Sequence, residues 1–192
     1  GVDLREHQSA GSVGAEMVDL PASASLREAA LWYARAGLPV FPLRPRGKEP
    51  LTPHGFHDAT TDLAQVDEWW SRWPDANIGL DLGRAGLFVL DADPRNGGPA
   101  DRFGLIELLG PLPDTAEAAT GGGGRHVYFR SVNGTRCGLL APGIDIKAAG
   151  GYVVLPPSIH PSGQAYEWDG IAGANALLEP ADPPAWLLER LA

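Results

Sequence analysis

GLFVLDAD, residues 86–93, runs apolar from Leu87 to Leu90 and then sets two aspartates two positions apart, just before the turn-forming PRNGG of residues 94–98. A short apolar run bounded by glycine and a Pro/Gly-rich turn reads as a buried strand. Strand residues two apart share a face, so Asp91 and Asp93 emerge together while Ala92 points away. Two carboxylates about 7 Å apart on one face repel each other unless a cation lies between them. The pattern therefore asks for a metal ion. The plainer alternative is that Asp93 begins the turn and Asp91 is solvated at a strand end.

Three further segments bear on that choice. GIDIK, residues 143–147, alternates so that Ile144 and Ile146 face a core while Asp145 and Lys147 face the other side. Were this strand to lie beside the first, Asp145 would complete an oxygen-rich site of the kind that takes Mg²⁺ or Mn²⁺. TGGGGRHVYFR, residues 120–130, is a glycine run entering a strand on which His126 and Tyr128 share a face. Backbone N–H groups can approach an anion closely there, although neither a P-loop nor a dinucleotide fingerprint is present, and a mobile hairpin with a structural histidine is the alternative. In PPSIHPSG, residues 156–163, Ser158 and His160 are again two apart, either facing phosphates or forming an ordinary proline-rich turn. Lys48 and Lys147 are cations in these regions, though solvated lysines are common.

The rest of the chain supplies the scaffold. Ser25 and Glu28 make a capping box for a helix that Gly37 ends, LPVFPL (38–43) reads as a strand, and Asp62 caps a second helix stopped by Pro74. NIGLDLG (77–83) is a strand separated from GLFVLDAD by Arg84 and Ala85; DRFGLIELLG and PAWLLERLA read as helices, RHVYFRSV and GYVVLPPS as strands. Mixed elements without repeats give an α+β, or mixed α/β, unit in which a mixed or antiparallel sheet carries helices. Trp69, Trp70 and Trp73 on the second helix suit either base stacking or anchoring to the core.

Composition narrows the function classes. The net charge is −9 over 192 residues, so contact with a polyanion must rest on a local basic stretch such as Arg44, Arg46 and Lys48 or on metal ions. No apolar run approaches the roughly 20 residues of a membrane span and no signal peptide is visible, which leads to the expectation of a cytoplasmic protein with no membrane partner. Cys137 is the sole cysteine. It allows no internal disulfide and no multi-cysteine zinc site, and reads as inert.

LDADP, GGRHVYF and GIDIKAAGGYVVLPPSIHPSG, in that order, resemble the bifunctional DNA primase/polymerase domain of the archaeo-eukaryotic primase superfamily, of the phage, plasmid and actinobacterial replication type. The resemblance runs over about residues 29–168 and takes in GLPVFPLRPRGKEPLTPHGFHDATTD and NIGLDLG. It implies an N-terminal α/β portion and an RRM-like sheet with a catalytic groove between them. It further implies metal-binding catalytic acids at Asp91, Asp93 and Asp145, and a nucleotide-binding histidine at His126; Arg125, Gly124, Lys147, Ser158, His160 and Lys48 are expected beside them as further nucleotide contacts. The chain has Gly124 where related primases often have serine, its backbone N–H standing in for the hydroxyl, and Asp93 where the second acid is often glutamate.

The expected organisation is a mobile arm or tag remnant over 1–22 and a catalytic domain over 23–192, monomeric as a fragment of a longer replication protein. Template-directed nucleotidyl transfer with two Mg²⁺ or Mn²⁺ ions, and no zinc, is the activity the resemblance implies. Its partners would be a single-stranded DNA template and primer, ribo- or deoxynucleoside triphosphates, and a helicase domain or helicase partner. Removing one acid from such a crowded cluster is expected to relieve repulsion. A metal-dependent phosphodiesterase or nuclease would use the same acids, and a non-catalytic RRM-like module is a third reading, although its aromatic signature is missing.

Overall fold

The computed structural model describes residues 17–192; the expected arm over 1–22 lies outside them as far as residue 16. Residues 17–22 pack against the body: Met17 and Leu20 lie on the core, and Trp32 Nε1 donates to the Val18 carbonyl at 2.5 Å.

Helix α1 (Leu26–Arg35) begins where Ser25 Oγ accepts the Glu28 N–H, and α2 (Leu63–Arg72) where Asp62 accepts that of Ala64. These caps satisfy N–H groups that a helix start leaves without partners. Strands β1 (Val40–Leu43) and β2 (Asn77–Asp81) flank α2 in sequence and pair antiparallel. A one-turn helix α3 (Leu82–Ala85), closed by Gly86 in the left-handed region, replaces the simple separator expected before β3 (Leu87–Ala92). Then follow α4 (Arg102–Leu109), β4 (Glu117–Ala119), β5 (Arg125–Arg130), β6 (Gly138–Ala141), β7 (Ile144–Lys147), β8 (Tyr152–Leu155), β9 (Glu167–Asp169) and α5 (Ala185–Leu191).

The strands form two antiparallel sheets, β1-β2-β8 and β6-β7-β3-β5-β4-β9. β8 is late in the chain yet pairs with β2, so the smaller sheet is built from both ends of the sequence. The segment from β7 to β8 therefore crosses from one sheet to the other.

Alternation along the strands divides the core. Leu87, Val89 and Tyr128 on one face of the larger sheet join Val40, Ile78, Leu80 and Leu155 of the smaller sheet and Tyr33 and Trp70 of the helices. Phe88, Leu90, Val127, Phe129, Ile144 and Ile146 on the reverse face are covered by Leu105 and Leu109 of α4 and Leu187 of α5. Trp70 is wholly buried and donates to the Ala76 carbonyl at 2.9 Å, while Trp69 and Trp73 pack partly against the same core. The α2 tryptophans thus anchor their helix. No helix among the described residues is long and apolar enough to cross a membrane.

Candidate active site

Strand register assembles the site. β3 lies between β7 and β5, with Asp91 opposite Asp145 on one side and opposite His126 on the other. Directly opposed residues of antiparallel strands project from one face with Cβ atoms about 5 Å apart, so His126, Asp91 and Asp145 stand in a row across three strands. Two residues along, the same face presents Tyr128, Val89 and Lys147. A cleft of about 350 Å³ lies over this face. Asp91, His126 and Lys147 line it from the larger sheet, Lys48 and Phe56 from the loop after β1, and Tyr152 and Tyr166 from the later chain.

Asp91 Oδ1 is 3.3 Å from Nε2 of the buried His126. Burial pushes the Asp91 carboxyl up, but the hydrogen bond and charge of His126, with the charges of Lys147 and Lys48, outweigh it and hold the group below the ordinary carboxylate range. His126 Nδ1 and the Tyr128 hydroxyl are buried without a hydrogen-bond partner among the described residues. Such atoms are costly and rare in folded proteins. Burial also drives the Tyr128 hydroxyl well above its ordinary pKa, which keeps it protonated.

Asp93 continues the extended chain past β3, donating its N–H to the Gly143 carbonyl at 2.9 Å. Its backbone stays extended, so its side chain leaves on the Asp91 face. The turn that follows is tight: a Cβ on Gly98 would lie 2.3 Å from the Gly143 carbonyl oxygen. The Asp93 carboxylate is taken by Arg95, with Nε on Oδ1 at 3.1 Å and Nη2 on Oδ2 at 2.9 Å. Those contacts hold its carboxyl below the usual range.

Other expected contacts are placed differently. Arg125 neighbours His126 on β5 and so points to the reverse face, where its guanidinium meets Glu117 at 3.4 Å and Asp169 at 2.8 Å. The Gly124 N–H, expected to face a phosphate, is given to Thr120 Oγ1 at 3.0 Å, and a Cβ there would strike the Ala92 carbonyl oxygen at 2.1 Å. Glycine at 124 therefore answers a close backbone approach. Ser158 is fully buried, and its hydroxyl accepts the Ile78 N–H at 2.8 Å, away from the cleft.

His160 sits beside the glycine run, not in the main cleft. Its Nδ1 accepts the Ser162 N–H at 3.0 Å, so Nε2 carries the ring proton in the neutral form. Burial, then the charges of Arg95 and Lys48, lower its pKa, which favours that neutral form. Of the expected basic stretch, Lys48 reaches the cleft while Arg44 pairs with Glu49 at 3.0 Å. Cys137 is exposed at the cleft, its sulfur accepting the Ala148 N–H at 3.3 Å.

Sequence reasoning missed Arg95, Phe56, Tyr152 and Tyr166. Tyr166 lies between His126 and His160, with ring centroids 6.2 and 6.0 Å away. Burial raises its pKa to about 12.

Among the described residues no three His, Cys, Asp or Glu side chains form a ready-made metal cage. Mg²⁺ does not require one, since it is commonly held by one or two carboxylates with waters and substrate phosphates. The opposed pair Asp91 and Asp145 offers the hard oxygen donors such an ion takes, with Asp93 the next carboxylate on the same face.

Paired acids, a histidine and Lys147 on one sheet face, with Lys48 reaching in from the loop after β1, suit chemistry on a phosphate chain: oxygens for a divalent cation and nitrogens for phosphates. The chain belongs to the bifunctional DNA primase/polymerase family, matching that family's N-terminal domain over residues 30–186. DNA primase and polymerase activity in general is what that membership indicates. No curated protein matches the chain.

Proposed function

We propose that this domain carries out template-directed nucleotidyl transfer on single-stranded or primed DNA, with Asp91, Asp145 and Asp93 holding Mg²⁺ or Mn²⁺. The observation that carries the reading is the His126–Asp91–Asp145 row, set by strand register at a cleft with Lys48 and Lys147. Bound there, divalent cations would lower the pKa of the attacking 3′-hydroxyl and neutralise the pyrophosphate leaving group. His126 orients Asp91 through Nε2, and Lys147 and Lys48 supply charge to the triphosphate. Tyr128, kept protonated by burial, and the surrounding apolar core exclude water from the inner end of the row.

The test is extension of a labelled primer on a DNA template with dNTPs and Mn²⁺ or Mg²⁺. Asp91→Asn and Asp145→Asn should each lower extension at least about 10³-fold, since a metal ligand supports several kcal/mol of transition-state stabilisation. Near-normal extension by either variant removes that residue from the site. A primer that shortens assigns the acids to phosphodiester hydrolysis instead.

A further inference from the structure

The fork between Arg95 and Asp93 sets a problem for the proposed site. Both Asp93 oxygens are occupied by the guanidinium, Oδ1 also accepts the Arg95 backbone N–H at 2.9 Å, and Asn96 Nδ2 reaches Oδ2 at 3.3 Å. A carboxylate so engaged has little left to offer a cation. Arg95 itself is not locked in, because its side chain is 56% exposed.

Its surroundings are built for an anion. A Cβ on Gly122 would lie 3.2 Å from Arg95 Cζ and 3.0 Å from His160 Nε2, so the guanidinium and the imidazole both lie against the bare backbone of the glycine run. The His160 Nε2 proton is a donor beside the guanidinium, and Arg95 and Lys48 both act electrostatically on His160. A planar guanidinium fork fits a carboxylate and a phosphate equally well.

We propose that Arg95 is exchanged between two anions: it neutralises Asp93 in the free protein and passes to the triphosphate of the incoming nucleotide, releasing Asp93 to a divalent cation. The proposal rests on the function given above and deepens it by making nucleotide arrival the event that completes the acidic site. Nothing covalent changes; one ion pair is replaced by another. In the free protein Arg95 competes with metal for Asp93. With nucleotide bound, the same charge serves the phosphates.

Opposite signs of effect on two ligands make the exchange testable without turnover. Mn²⁺ binding to the free protein is followed by electron paramagnetic resonance, and binding of dATP and dAMP by calorimetry with non-catalytic Ca²⁺. Arg95→Gln should bind Mn²⁺ about 3- to 10-fold more tightly and dATP roughly 10-fold more weakly, with dAMP little changed, because charge-assisted contacts are lost to the phosphates alone. Arg95→Lys, which keeps the charge without the fork, should fall between. Circular dichroism checks that both variants are folded. If the parent protein binds both ligands and Arg95→Gln matches it on each, or loses affinity for both, the exchange is overturned while the proposed function stands. A parent protein that binds neither Mn²⁺ nor dATP overturns the function and the exchange together.

Discussion

Ser158→Ala separates a structural hydroxyl from a nucleotide contact. Ile78, in the middle strand of the smaller sheet, lies opposite Pro42 and Leu155, but the Pro42 carbonyl receives the Leu51 N–H at 3.0 Å and the Leu155 carbonyl that of Ser158 at 3.0 Å. The Ile78 N–H goes instead to Ser158 Oγ at 2.8 Å, at a site with no solvent access. Alanine removes the acceptor and leaves a buried donor unpaired, which costs about 1–3 kcal/mol. For a domain of this size each kcal/mol lowers Tm by roughly 2–4 °C, so a fall of about 4–8 °C is expected for a loss near 2 kcal/mol. Differential scanning calorimetry gives the shift, and primer extension well below Tm should stay within about twofold of the parent. An unchanged Tm with extension lost would refute the reasoning and return Ser158 to the phosphates.

Two further outcomes follow from charge placement. The Asp91 carboxyl is held below its ordinary range in the folded protein, so its ionisation contributes stability that is present above the unfolded value of about 3.9 and is lost as pH falls through the lower folded value. The parent should therefore be more stable than Asp91→Asn near pH 7, with the gap closing below about pH 4; an asparagine variant equal to or more stable than the parent at pH 7 would mean that repulsion among the acids dominates. Arg125→Gln breaks the contacts to Glu117 and Asp169 on the reverse face, where the arginine side chain is only 13% exposed. Tm should fall by several degrees, at about 1–3 kcal/mol, while the KM for dNTP holds within twofold; a KM raised tenfold at unchanged Tm would place Arg125 at the nucleotide.

Helices and long strands were legible because their signals are local. Ser25 and Asp62 cap α1 and α2, and the apolar runs of β2, β3, β5 and β8 pack as strands. β4, β6 and β9 were not read, being three or four residues long and composed of EAA, GLLA and EWD, with no β-branched residue. Nor does any local pattern say that β8 returns to β2, or that β7 and β5 flank β3, because pairing between distant strands leaves no trace in either one alone. The face of Arg125 was legible and went unread: the alternation that puts His126 with Tyr128 sends Arg125 the other way. Arg95 gave no such signal, since an arginine in a polar turn reads as solvated. Its role depends on His160 and Gly122, far along the chain.

Placing Asp91 and Asp93 two residues apart is stable here because both already have partners within the protein. Asp91 has His126 with Lys147 and Lys48 nearby, and Asp93 has Arg95. The answer to the crowding at LDADP is thus partly built into the protein, before any metal ion arrives. Lys147, Lys48 and Arg95 are the groups that would meet phosphates, so binding a metal-nucleotide pair would exchange internal ion pairs for external ones and leave the net charge of the site little changed. An exchange of that kind avoids creating a bare buried charge at any step, which is the costly alternative in a partly desolvated cleft. On the proposed function it would also let an acidic chain, at −9 overall, present its acids and still accept a polyanion: attraction need act only within a Debye length of about 8 Å at physiological salt, where Lys48, Lys147 and Arg95 all act on Asp91.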